Sequence, residues 1–170
     1  MPGLPVAVIV MGVTGSGKTT VGQLLAERMA CSFFDADDFH PEANVEKMRS
    51  GQPLDDADRA PWLARLRELI EHELNAGRSL VLACSALRAE YRDVLVSRAG
   101  VVRFVYLKIR PETARARLAE RAGHYMPASL VSSQFDALEE PTGAVVVDGE
   151  LTPIEAVNAA IQHLPGTCSG

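Results

Sequence analysis

Apolar and polar positions along the chain follow two different periods. Short apolar runs stand at residues 6–11, 32–34, 80–83, 102–107 and 144–147, interrupted only by Ser32 and Arg103. Each is too short for a helix, and most are rich in Val and Ile, as in strands of a parallel sheet covered on both faces. Between them the apolar residues recur at helical spacing. From Lys18 onward Val21, Leu24, Leu25 and Met29 share one helical face, and further helices are predicted over 42–49, 57–76, 89–97, 111–121, 127–138 and 153–163.

Local punctuation agrees with these boundaries. Gly77 closes the long third helix, while Thr152-Pro153 with Glu155 marks a capped helix start. Strands alternating with helices predict an α/β fold: a three-layer αβα domain on a five-stranded parallel sheet, with ligands at the carboxyl ends of the strands. A single domain over 1–164 is expected, with a small helical lid at roughly 115–130 and a frayed tail at 165–170.

Composition narrows the classes. The 170 residues are 47% hydrophobic, 23% charged and 5% aromatic, which suits an aliphatic core. A net charge of −5 with 17 scattered Lys and Arg gives no footprint for a phosphate backbone, so no nucleic-acid partner is expected. The apolar stretch from Leu4 to Val13 is interrupted by Pro5 and Gly12 and has no basic residue before it, matching neither a leader nor a membrane span. Cys31, Cys84 and Cys168 lie far apart with no CxxC pair, which points to a reducing, cytoplasmic setting rather than zinc.

The chemistry starts where the first strand ends. Gly12-Val13-Thr14-Gly15-Ser16-Gly17-Lys18-Thr19 fills every fixed position of a P-loop between a strand and a helix. Its glycines let backbone N–H groups wrap a triphosphate at the helix N-terminus. Lys18 then reaches the β- and γ-phosphates and the Thr19 hydroxyl ligates magnesium, with Thr20 completing the nucleotide-binding run. A nucleoside triphosphate and Mg2+ are therefore the expected ligands of this loop.

A second cluster, Asp35-Ala36-Asp37-Asp38-Phe39-His40, follows the second strand. One carboxylate there can hold magnesium through water while another takes the proton of an attacking hydroxyl; helix capping is the competing use. No acid ends the third strand, so Asp35 inherits the second magnesium-linked position. Asp148, after the last strand, is explained by a turn.

Asp55, Asp56 and Asp58 read as caps for the long helix, but Arg59 opposes the helix macrodipole and suggests a fork for a substrate carboxylate. Arg88 and Arg92, four apart on one helix, face either the cleft or acidic surface partners. Arg115, Arg117, Arg121 and His124 flank Ala122-Gly123 and are either a cationic lid over the transferring phosphate or a solvated basic helix.

Beyond the P-loop, a resemblance runs in order along nearly the whole chain. Asp37-Asp38-Phe39-His40-Pro41, Lys47-Met48-Arg49-Ser50-Gly51-Gln52-Pro53-Leu54, Asp58-Arg59-Ala60-Pro61-Trp62-Leu63, Cys84-Ser85-Ala86-Leu87, Tyr91-Arg92-Asp93, Arg121-Ala122-Gly123-His124-Tyr125-Met126-Pro127 and Ser133-Gln134-Phe135 resemble blocks of the gluconokinases. These are P-loop sugar-acid kinases related to shikimate and nucleoside-monophosphate kinases.

The resemblance implies ATP- and magnesium-dependent phosphorylation of D-gluconate to 6-phosphogluconate by a cytoplasmic homodimer. It implies Lys18, Asp37 and Arg121 as catalytic groups, with Asp37 on the 6-hydroxyl and Asp35 on magnesium through water. Arg59 would hold the gluconate, helped by His40, Arg92 and Gln134, while Arg117 would belong to the lid and stack on adenine. Lys108-Ile109-Arg110 and Arg88 depart from the family pattern outside its motif blocks.

A shikimate-like, nucleoside or nucleotide kinase shares the domain plan and remains the alternative. A nucleotide switch is disfavoured because the sequence carries neither NKxD nor a DxxG after the third strand.

Overall fold

The computed structural model describes residues 3–121 and 128–164. Five strands form one sheet: β1 (Ala7–Met11), β2 (Ser32–Asp35), β3 (Leu80–Ala83), β4 (Val102–Lys108) and β5 (Val145–Asp148). Their order is β2-β3-β1-β4-β5, and every neighbouring pair is parallel. The helices are α1 (Lys18–Met29), α2 (Glu42–Arg49), α3 (Asp56–Asn75), α4 (Ala89–Leu95), α5 (Pro111–Glu120), α6 (Ala128–Ala137) and α7 (Pro153–Ile161). The expected three-layer parallel architecture is observed. The one added element is a 3-10 turn at Ala36–Phe39, inside the acidic loop.

The period of two along a strand sorts β1 between the two helical layers. Ala7, Ile9 and Met11 face one side, where Leu80, Leu82 and Tyr106 meet Trp62, Leu66, Ile70 and Leu74 of α3 and Leu95 of α4. Val8 and Val10 face the other, packed with Val81, Val105 and Leu107 against Val21 and Leu25 of α1 and Val157 and Ala160 of α7. All five β1 residues are at most 1% exposed, which is why this strand reads as a continuous apolar run instead of alternating. Burying each such large aliphatic side chain contributes about 1.5–3 kcal/mol before conformational entropy is subtracted.

Capping sets the helix starts. Asp55 accepts from Asp58 N at 2.8 Å while Asp58 Oδ2 accepts from Asp55 N at 3.0 Å, a reciprocal box at the start of α3. Thr152 and Glu155 do the same for α7. After α3, Gly77 adopts φ +76° and its N–H donates to Leu74 O, ending the helix before β3. A third apolar cluster, Val13, Leu87, Ile109, Ala114, Leu118 and Val131, seats α5 and α6 beside the loop that follows β1. No described helix is long and apolar enough to cross a membrane.

Because all strands run the same way, their carboxyl ends share one rim. The Gly12–Lys18 loop leaves this rim after β1, the Asp35–His40 segment leaves it after β2 and Cys84 leaves it after β3, and the turn after β5 joins them there.

Candidate active site

The loop from Gly12 to Lys18 leaves the buried end of β1 and opens α1. Gly12 takes φ +150°, and a Cβ at this position would stand 2.9 Å from the Leu107 carbonyl oxygen and 2.8 Å from Ser16 Oγ, so only glycine fits. Gly17, the N-cap of α1, takes φ +92° and brings no side-chain cap. The first N–H groups of α1 are thus left to an anion, and the buried Ser16 hydroxyl beside them has no partner among the described residues.

Lys18 Nζ donates to Val13 O at 3.0 Å. Burial pulls its pKa down, and the negative charges of Asp37 and Asp35 push back.

β2 delivers the carboxylates. Asp35 Oδ2 accepts from the Thr19 hydroxyl at 3.1 Å, and Asp35 Oδ1 accepts from Asp37 N at 3.0 Å, which caps the 3-10 turn. The capping use is thus observed, on the same carboxylate that meets the Thr19 hydroxyl. The turn is tied down from α3 by Trp62 Nε1, which donates to Ala36 O at 2.7 Å. Burial raises the pKa of Asp37, as do Asp35 and Asp38, while Lys18 lowers it. The result is a carboxylate more basic than usual, within reach of the loop lysine's field.

The described residues contain no group of three or more His, Cys, Asp or Glu side chains that could hold a metal alone. The neighbouring Thr19 hydroxyl and Asp35 carboxylate do fit magnesium, a hard cation that takes oxygen donors and completes its shell with water and phosphate.

Next to these acids lies a wall made by α2, α3 and α4. The His40 ring stacks on Trp62, with centroids 4.3 Å apart and planes 11° from parallel, and its Nδ1 meets Asn44 Nδ2 at 3.3 Å. Burial lowers the His40 pKa, and the Arg59 charge lowers it further. Arg59 lies over the Tyr91 ring at 5.6 Å and donates to the Tyr91 hydroxyl at 3.3 Å; that hydroxyl in turn donates to Asp56 at 2.6 Å. His40 and Arg59 thus lie within each other's electrostatic reach.

Two residues expected at the substrate are occupied elsewhere. Arg92 is 8% exposed and donates to Ala86 O at 2.7 Å and Glu139 O at 2.9 Å, bracing the loop after β3. Gln134 Oε1 accepts from Thr14 N at 2.6 Å and so attaches α6 to the P-loop.

Arg88 is at the surface beside Glu90, 3.8 Å away, and does not share the inward direction of Arg92. Asp148 accepts from Glu150 N at 2.9 Å in the turn after β5, as expected of a turn residue.

On the other flank Arg117 donates to Gly15 O at 3.1 Å, Ser16 O at 3.4 Å and Gly149 O at 2.6 Å. It forms one wall of a 340 Å³ cleft lined also by Gly15, Thr20, Arg121, Gly149 and Pro153. An open cleft beside the loop glycines and the α1 N-terminus is where the base end of a nucleotide would lie. Arg121, exposed at the end of α5, still acts electrostatically on Lys18. Arg115 faces Ser132 on α6 at 3.4 Å instead of the loop. His124 and the centre of the expected lid are outside the described residues, as is the 165–170 tail.

Sequence reasoning did not single out Asn44, Trp62, Tyr91 or Cys84 as site residues. Trp62, Tyr91 and Cys84 carry a detectable signal, since each sits inside a motif block, but their tasks depend on partners far away in the chain. Asn44 is 3% exposed and its Nδ2 donates to Asp58 O at 2.8 Å, 14 residues on. No local pattern announces it.

Comparison with known proteins agrees with this geometry. Residues 8–141 match the family described as an AAA domain. The chain is 44% identical over 162 residues to the gluconokinase of Gluconobacter oxydans (strain 621H), covering 94% of this chain and 91% of that protein. A solved gluconokinase from Sinorhizobium meliloti 1021 superposes with a TM-score of 0.84 at 40% identity, over 96% of this chain and 92% of that one. A sugar kinase from Janibacter sp. HTCC2649 gives a TM-score of 0.86 at 37% identity, over 98% and 99% of the two chains.

Proposed function

The chain belongs to the gluconokinase family, kinases that phosphorylate a sugar-acid hydroxyl with ATP, and for that reaction on D-gluconate we propose the following division of labour. The P-loop from Gly12 to Thr19, with Thr20, holds the triphosphate through backbone N–H groups and the α1 N-terminus. Arg117 and the 340 Å³ cleft receive the base end. His40 and Arg59 hold the gluconate against the wall formed by Trp62 and Tyr91.

The 6-hydroxyl oxygen then attacks the γ-phosphorus in line. Its bond to phosphorus forms as the bond to the β–γ bridging oxygen breaks, ADP leaves, and the hydroxyl proton passes to Asp37. Lys18 and Arg121 offset the negative charge spread over the transferring group. Arg92 and Gln134 act one step back, by shaping the loop after β3 and the P-loop. Magnesium would be held by the Thr19 hydroxyl and, through water, by Asp35, and would supply positive charge at the β- and γ-phosphates.

The observation that carries this reading is the meeting of Lys18, Asp35 and Asp37 on one rim. The two acids stabilise the buried lysine's charge, and the lysine in turn keeps Asp37 from being still more basic. A coupled assay of ADP release over a panel of sugar acids, shikimate and nucleoside monophosphates tests it. Turnover highest with gluconate is expected; inactivity on gluconate with turnover of another acceptor overturns it.

The same reading includes a homodimer working in the cytoplasm. The family resemblance supports the first, and the unpaired Cys31 and Cys84 support the second. Light scattering on the purified chain and fractionation of cells check them.

A further inference from the structure

The proton on His40 is settled by a neighbour that contributes nothing to the site directly. Asn44 Nδ2 lies 2.8 Å from the carbonyl oxygen of Asp58 and 3.3 Å from His40 Nδ1. A carbonyl oxygen only accepts, so the Asn44 atom facing it is the amide nitrogen and not the amide oxygen. One of its hydrogens goes to Asp58 and the other is aimed at His40. Nδ1 must then be the accepting nitrogen, and the neutral ring carries its proton on Nε2.

The surroundings hold this arrangement in place. Asn44 is 3% exposed, so water competes poorly for either hydrogen. The ring is clamped flat on Trp62 at 4.3 Å. The charged groups around it favour a neutral ring: Arg59 on α3 acts against protonation, while the Asp58 carboxylate is engaged by Lys47 at 2.8 Å. Nε2 has no protein partner among the described residues.

We propose that Asn44 is a positioning residue that fixes His40 as a neutral Nε2–H donor, selecting acceptors that present an oxygen lone pair beside Arg59. The inference rests on the assignment of His40 and Arg59 to the sugar-acid site. A second cation there would bind any anion; a neutral directional donor next to one cation suits a molecule that carries one carboxylate and a row of hydroxyls.

The test has a spectroscopic half and a kinetic half. In long-range 1H–15N spectra of the whole protein, with His40 assigned by comparison with His40→Gln, the free enzyme at neutral pH is expected to show Nε2 protonated and Nδ1 bare. In Asn44→Asp the new carboxylate only accepts, so the proton is expected to move to Nδ1. KM for gluconate should then rise about five- to tenfold, the size of one lost hydrogen bond, with KM for ATP unchanged. Asn44→Ala, should Asn44→Asp fail to fold, is expected to give a mixture of tautomers with a smaller rise in the same constant.

A wild-type ring protonated on Nδ1, or a switched tautomer with KM for gluconate unmoved, overturns the inference. An Nε2–H ring together with a His40→Ala variant whose KM for gluconate is normal instead rejects the acceptor-site assignment on which it rests.

Discussion

Gln134 on α6 and Thr14 in the P-loop, 120 residues apart, are joined by a 2.6 Å hydrogen bond from the Thr14 backbone N–H to the Gln134 side-chain oxygen. Helix α6 is thereby fastened to the P-loop. Removing the acceptor in Gln134→Ala is expected to raise KM for ATP about fivefold, the equivalent of roughly 1 kcal/mol for one hydrogen bond. Steady-state kinetics in both substrates decide the matter. A change confined to gluconate would show that this side chain serves the acceptor.

Asp37→Asn keeps the shape of the 3-10 turn and its cap from Asp35 but removes the carboxylate that we propose takes the proton. The expected fall in kcat is about 10²- to 10⁴-fold, the usual worth of general-base help, with the dissociation constant for ATP nearly unchanged. Isothermal titration with a nonhydrolysable nucleotide, run beside the kinetics, separates the two quantities. Equal losses in both would mean that Asp37 holds the loop together instead.

Trp62→Phe probes the link between core and site. The indole N–H that reaches Ala36 O at 2.7 Å disappears, leaving a buried carbonyl without its donor. A loss of about 1–3 kcal/mol in urea unfolding is expected. KM for gluconate should rise as well, because the same ring supports His40 and the turn that carries Asp37. Lost stability without any change in KM would disconnect the two roles.

Cys84 ends buried behind Lys18, and burial pushes its thiol pKa up to about 12 from an ordinary 9.0. The neutral thiol is the form the fold favours. Its contribution to stability is complete below pH 9 and is lost as pH climbs from there toward 12. Alkylation needs the thiolate, so Cys84 in the folded protein is expected to resist iodoacetamide at pH 8 and to react once urea unfolds the chain. Mass spectrometry of the peptide containing Cys84 reads this directly; rapid labelling of the native protein would contradict the stated burial.

The fold was legible because its signals are local. The five apolar runs, the glycines at the loop after β1 and the Thr152 cap each depend on residues within a few positions of one another. The acids after β2 were legible for the same reason. Arg92 and Gln134 show where that ends: their residue types suit a substrate carboxylate as well as a backbone, and only the folded chain brings Ala86 O and Glu139 O to the first and Thr14 N to the second. Asn44 is the limiting case, a polar residue on a short helix whose two partners come from the end of the acidic turn and the start of α3.

The parallel sheet sets its amino-terminal rim opposite the candidate site. Gly77 and Gly100 turn the chain there just ahead of β3 and β4, and a Cβ at either would meet nothing within 4 Å. A fluorophore, a surface tether or a short peptide graft spliced beside either glycine would hang from the end of the protein farthest from phosphoryl transfer. The enzyme could then be immobilised or watched without a foreign group near its nucleotide or its acid.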